Sequence, residues 1–127
     1  MVACGSRAMH HFHMRVIFPT LILCAIFLPV PARSASFDCG KAKASDERAV
    51  CASRALSEMD VEMAVRFEML AGLVGMGTRG DMGDEQRAFL AQRRQCGADK
   101  DCLATLYRAR IATLKSEYQN LKSRGPF

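Results

Sequence analysis

Six cysteines are the residues of this chain with the most chemistry to offer, at positions 4, 24, 39, 51, 96 and 102. A structural zinc site draws its ligands in closely spaced pairs, and the separations Cys39 to Cys51 and Cys96 to Cys102 are too wide for that. No C-x-x-C pair exists for redox exchange. The three histidines stand at positions 10, 11 and 13, far upstream of the later cysteines. The chemistry left for Cys39, Cys51, Cys96 and Cys102 is disulfide formation, and no metal or cofactor is expected. Four cysteines allow three pairings; the two sequence-local bridges, Cys39 to Cys51 and Cys96 to Cys102, are the expected ones.

Other constellations are weaker. Asp60 sits beside an apolar helical stripe, but no second carboxylate or histidine is placed with it, so a catalytic acid is not expected. Gly75-Met76-Gly77-Thr78-Arg79-Gly80 matches G-x-G-x-x-G. A dinucleotide fingerprint needs a strand before it and a parallel βαβ unit around it, and the pattern upstream is helical. The tripeptide Arg79-Gly80-Asp81 carries little weight at that length.

The elements that position these residues begin with a leader. Arg7, Arg15 and three histidines precede an apolar run from Val16 to Val30, and small residues follow at Ala32, Ser34 and Ala35, which reads as a secretory signal over 1–34. The run is shorter than the about 20 residues of a spanning helix and carries Pro19 and Pro29, so no membrane association is expected after its removal. Cleavage after Ser34 puts Ala32 and Ser34 at the two small positions. Leu23 before Cys24 and Asp38 before Cys39 argue against lipidation. Loss of the leader takes Arg7, Arg15 and Arg33 and lowers the charge from +5 (18 cations against 13 anions) to +2 (15 against 13). The remaining charges of both signs are interleaved, unlike the concentrated basic stripe of a nucleic-acid protein.

Beyond the leader the pattern is helical throughout. Gly40 lets a polar lead-in bend back, and Ser45 is placed to cap a short helix ending near Cys51, with Asp46 and Glu47 in its first turn. Ser53 caps a second helix running to about Leu73, with Leu56, Met59, Met63, Phe67 and Leu70 in one stripe. Asp60 beside that stripe needs a partner if buried, and Arg93 or Arg110 is the natural one. Five glycines between Gly72 and Gly83 predict a flexible loop. A third helix is expected from about Asp84 to Gln95. Gly97 suits a left-handed residue at its end, and Asp99 suits the cap of a fourth helix from about Lys100 to Leu121. Leu103, Leu106, Tyr107, Arg110, Ile111, Leu114, Tyr118 and Leu121 recur there at helical spacing, and Arg93 and Arg110 stand beside core positions. The expected fold is all-α: a small disulfide-stapled helical bundle over 35–124, built on an antiparallel hairpin of long helices, with 125–127 a frayed tail.

Two sets of residues carry a family resemblance. The spacing Gln86-x-x-Phe89-Leu90-x-x-Arg93-x-x-Cys96-Gly97 is followed by Cys102-Leu103-x-x-x-Tyr107-x-x-Arg110-Ile111-x-x-Leu114. Upstream stand Phe37-Asp38-Cys39-x-Lys41-Ala42, Glu47-Arg48-Ala49-Val50-Cys51 and Leu56-x-x-Met59-Asp60-x-x-Met63. Together they resemble the bacterial family named after the lysozyme inhibitor LprI, over roughly Phe37 to Leu121. The family often has Trp where Phe89 stands and Tyr where Phe67 stands, so both positions keep an aromatic ring.

The resemblance implies an exported bacterial protein, periplasmic or secreted, that binds lysozyme and protects peptidoglycan. No nucleophile–base pair or phosphate cradle accompanies it, so a non-enzyme is expected. The envelope scaffold module and the cell-wall-binding accessory domain are the alternatives, and composition does not separate them. Glycosidases of this kind work through two carboxyl groups in a cleft. Arg79 on the expected loop is the candidate probe of that cleft, and Asp81, Asp84 and Glu85 are candidates for steering toward a basic enzyme surface.

Overall fold

The computed structural model describes residues 35–125. The expected leader, 1–34, and the last two residues of the tail lie outside them. Within them the protein is all-α: a single turn of 3-10 helix at Cys39–Lys41, then α1 (Ser45–Ala52), α2 (Arg54–Leu73), α3 (Met76–Cys96) and α4 (Lys100–Lys122). The four helices form a small bundle in which α2 and α4 share the largest interface, with α3 laid against α4 and α1 against α2. None of the described helices is long and apolar enough to cross a membrane.

Local chemistry explains most of the boundaries. At α1 the Glu47 carboxylate turns back to accept from the Lys43 and Ala44 amides at 2.9 and 3.1 Å, satisfying two donors outside the helical ladder. Ala44, not Ser45, is therefore the capping position. Ser53 caps α2, its hydroxyl oxygen accepting from the Leu56 amide at 3.4 Å. The buried Ser57 hydroxyl donates to the Val50 carbonyl at 2.8 Å and pins the corner between α1 and α2. At the far end Gly97 has φ +57°, where a side chain is disfavoured, and Asp99 accepts from the Asp101 and Cys102 amides.

The largest departure from expectation is at the glycines. The glycine-rich stretch is not a loop: α3 begins at Met76, so Gly77, Gly80 and Gly83 lie inside a helix of 21 residues. The chain needs only Val74 and Gly75 to turn between α2 and α3. Tertiary contacts outweigh the poor helix propensity of glycine here. Met82 is buried on the same face as Phe89 and Arg93, so the apolar stripe of α3 begins two positions upstream of Asp84. Arg79 then donates to the Ala71 and Val74 carbonyls at 2.6 and 3.2 Å. It caps the end of α2, which has no basic residue in its own last turn.

Val50, Leu56, Met63, Leu103, Tyr107 and Leu114 form the centre of the core, with Phe89 against the Tyr107 ring edge-on at 5.3 Å. Tyr118, expected in the α4 stripe, is instead 43% exposed. Disulfides join Cys39 to Cys51 and Cys96 to Cys102. The first folds the lead-in onto α1; the second closes the corner between α3 and α4. Two disulfides imply an oxidising, extracytoplasmic environment.

Candidate functional site

Asp46, Asp60, Arg93 and Tyr107 come from four different helices and meet inside the bundle. Asp46 and Asp60 are each 1% exposed and Arg93 is 6% exposed. The Arg93 guanidinium donates from Nε to Asp46 Oδ2 at 2.8 Å and from Nη1 to the Tyr107 hydroxyl at 3.2 Å. It also lies 3.6 Å from Asp60 Oδ1. The Tyr107 hydroxyl in turn donates to Asp60 Oδ1 at 2.8 Å. The Phe37 ring lies beneath the guanidinium, 5.2 Å from centroid to Cζ, a cation–π contact that attaches the lead-in to the same cluster.

Burial opposes the charge on Arg93, but the Tyr107 oxygen and the Asp46 carboxylate outweigh it and hold the guanidinium above its ordinary range. Tyr107 is pushed above its ordinary value, by burial first and then by the Asp60 carboxylate that accepts its proton. The phenol is therefore a fixed donor at any physiological pH, and its bond to Asp60 pins the helices that carry the two residues.

Asp60 thus pairs with Arg93, one of the two partners expected for it. Arg110 goes elsewhere. Its Nη1 donates to Glu85 Oε2 at 2.8 Å, and its Nε faces Gln86 Oε1 at 3.4 Å. Gln86 also contacts the Met63 sulfur, so this motif residue bridges α3 to α2. Asp46 was legible only as a first-turn carboxylate matching the helix dipole. Its burial against Arg93, 47 positions away, has no local signal in the sequence.

A second feature lies at the α2–α3 corner, where a groove of about 400 Å³ runs between the end of α2, the start of α3 and the end of α4. Leu70, Val74, Met82 and Leu121 supply apolar walls, Asp81, Glu85 and Glu117 supply carboxylates, and Arg124 supplies a cation. Glu117 is held above the usual carboxylate range by burial and then by the nearby Glu85, against the pull of Arg110. Exposed apolar side chains flank this end: Met69, Leu73, Met76 and Tyr118 are 63, 50, 88 and 43% exposed. Of the four residues expected to face a partner, Asp81 and Glu85 line the groove. Asp84 pairs with Arg87 on its own helix, and Arg79 is bound to the end of α2. The Arg79 guanidinium caps α2 in the free protein, and it does so from a helix and not from the expected loop.

No family model, curated protein or solved structure matches the chain. Among the described residues no three His, Cys, Asp or Glu side chains are grouped so as to hold a metal ion. What the arrangement offers chemically is a disulfide-stapled scaffold with a groove of carboxylates and apolar side chains at one end.

Proposed function

We propose that the mature protein is an exported, non-catalytic bacterial protein, periplasmic or secreted, that binds lysozyme and protects peptidoglycan from it. The observation that carries this reading is the convergence of Asp60, Arg93 and Tyr107. The resemblance to LprI-type inhibitors picks out these residues from distant parts of the chain, and they bond to one another in the bundle core. The bundle is then a platform, and binding falls to an exposed surface. The groove with its apolar margin is the best suited one, since Asp81 and Glu117, beside Glu85 paired with Arg110, outnumber Arg124 and complement a basic enzyme, and Leu73, Met76 and Tyr118 supply area that gains from being covered. Inhibition in this reading comes from covering the cleft of the glycosidase and not from inserting an arginine into it.

The test is the rate at which lysozyme clears a suspension of cell walls, with and without the purified processed protein. Slower clearing at near-stoichiometric inhibitor, together with a complex by size-exclusion chromatography, is the expected result. Unchanged clearing by well-folded protein refutes the reading. Sedimentation with walls in the absence of enzyme would instead identify an accessory wall-binding domain.

A further inference from the structure

The buried cluster is short of positive charge. It holds two carboxylates, Asp46 and Asp60, each 1% exposed. Among the described residues Arg93 is the one cation in ion-pair range of either. A buried carboxylate without full compensation is costly, and Asp60 compensates on its second oxygen with a backbone group: the Ser36 amide donates to Oδ2 at 2.6 Å. Ser36 is two positions from the proposed cleavage point between Ser34 and Ala35. Three contacts fix this stretch of chain: the Ser36 amide on Asp60, the Phe37 ring under Arg93, and the Cys39–Cys51 disulfide. Ala35 itself packs against the core.

We propose that leader removal after Ser34 converts Ala35 into the amino-terminus of the protein, and that its α-ammonium pairs with Asp60 as the second cation of the Asp46–Asp60–Arg93 cluster. In the step, water adds across the Ser34–Ala35 peptide bond. Its oxygen remains on the Ser34 carbonyl as a carboxylate, and the Ala35 nitrogen leaves as an amine that takes up a proton. Successive backbone nitrogens are at most about 3.7 Å apart. With Ser36 N at 2.6 Å from Oδ2, the Ala35 nitrogen is therefore within about 6 Å of the carboxylate, close enough for an opposite charge to act strongly. The surrounding charges leave room for it. A separate groove of about 360 Å³ runs past Ser36 and Asp60, lined by Glu47 and Glu68 against Arg93 and Arg94, so an added cation meets as many anions as cations before Asp60 itself is counted. The unprocessed chain carries an uncharged peptide nitrogen at this point. Processing therefore tightens the fold as well as releasing it, and this inference stands whether or not the protein binds lysozyme.

The experiment uses the full chain exported and processed in a bacterial host. Mass spectrometry of the purified product is expected to give Ala35 as the first residue; any other first residue overturns the proposal. The α-amine is then either acetylated, which removes its charge, or reductively dimethylated, which keeps it. Every lysine is dimethylated in each sample, and a lysine-dimethylated chain with an unmodified α-amine serves as reference. Acetylation at Ala35 is expected to lower the melting midpoint by about 4–8 °C while dimethylation leaves it within about 1 °C. Equal midpoints for the two forms overturn the proposal. In Asp60→Asn the difference between the two forms is expected to disappear. If that variant does not fold, NMR titration of the Ala35 nitrogen in the native sequence decides: a value above the ordinary α-amino range of about 7.7–8.0 supports the pairing, and an ordinary value refutes it.

Discussion

Tyr107 donates its hydroxyl proton to Asp60 across 47 positions of sequence, at 2.8 Å and out of contact with solvent. This bond joins the two helices with the largest shared interface, α2 and α4. It is specific in a way the surrounding leucines are not, because a register shift of either helix parts a buried carboxylate from the buried phenol that donates to it.

Removing the guanidinium tests the pin most severely. Arg93→Ala leaves Asp46 and Asp60 buried without their shared cation, and the expected loss is about 3–5 kcal/mol in urea denaturation. Tyr107→Phe keeps the ring against Phe89 and removes one donor, so about 1–3 kcal/mol is expected. A midpoint for Arg93→Ala within experimental error of the parent would show that the cluster contributes nothing.

Much of this fold was legible in the sequence. Ser53 and Asp99 announced their boundaries through side-chain oxygens acting within three residues and Gly97 through its freedom to take a positive φ, and the α2 and α4 stripes followed from helical period. Asp60 was legible as a carboxylate beside a stripe, which already required a partner. What was not legible depended on contacts far along the chain. Asp46 lies in a first turn where a carboxylate is ordinary, and only the packing of α1 against α3 buries it. The start of α3 was misread because glycine propensity is a local signal, whereas the burial of Met82 and the reach of Arg79 back to α2 are tertiary.

The corrected α3 boundary makes a definite prediction. An added Cβ at Gly77 or Gly80 meets nothing within 4 Å, and both residues lie inside the helix. Gly77→Ala and Gly80→Ala should each raise stability by about 0.8–1 kcal/mol. A flexible loop would gain less, and the double variant in thermal melting separates the two cases. Gly97→Ala should do the opposite, since its φ of +57° strains any side chain.

Glu117 gives the protein a recognisable pH signature. Its folded-state value is raised, by burial first and by Glu85 next, so the folded chain holds that proton more tightly than the unfolded chain does. Its contribution to stability is then greatest below the unfolded value of about 4.3, and falls as pH rises through the folded one. Glu117→Gln should therefore be more stable than the parent at neutral pH, with the gain vanishing below about pH 4. A constant offset across the range would mean that the carboxylate does not titrate differently on folding. Glu47 acts in the other direction, because the Ala44 and Lys43 amides lower its value. Its contribution is present at neutral pH and is lost as pH falls through the folded value.

The two disulfides close short loops, with sequence separations of 12 and 6. Chain-entropy estimates give about 2–3 kcal/mol for each, slightly more for the longer loop. Cys39→Ser with Cys51→Ser should cost more than that difference suggests, because it also releases the lead-in that brings Ser36 to Asp60 and Phe37 to Arg93. Denaturation of the two double variants, alongside peptide mapping of the non-reduced protein, checks both pairing and rank. A larger loss at Cys96 and Cys102 would mean that the α3–α4 corner matters more than the amino-terminal attachment.

The position of Arg79 separates the two ways in which this protein could meet an enzyme. Its guanidinium donates to the Ala71 and Val74 carbonyls, so Arg79→Ala removes the cap from α2 and should lower stability by about 1 kcal/mol, the scale of a lost cap. If lysozyme is covered by the acidic groove, Arg79→Ala leaves inhibition at its parent level wherever the protein is folded. Asp81→Lys, at an exposed position on the same groove, then weakens inhibition several-fold with little change in melting, and the effect shrinks as salt is raised because the lost attraction is screened. Tyr118→Ala and Met76→Ser weaken it through lost apolar contact and show no such salt dependence. Full inhibition by Asp81→Lys at low salt would exclude the groove as the docking face. Loss of inhibition by folded Arg79→Ala would mean that the guanidinium leaves its carbonyls on binding, and that the cap seen in the free protein is what the enzyme displaces.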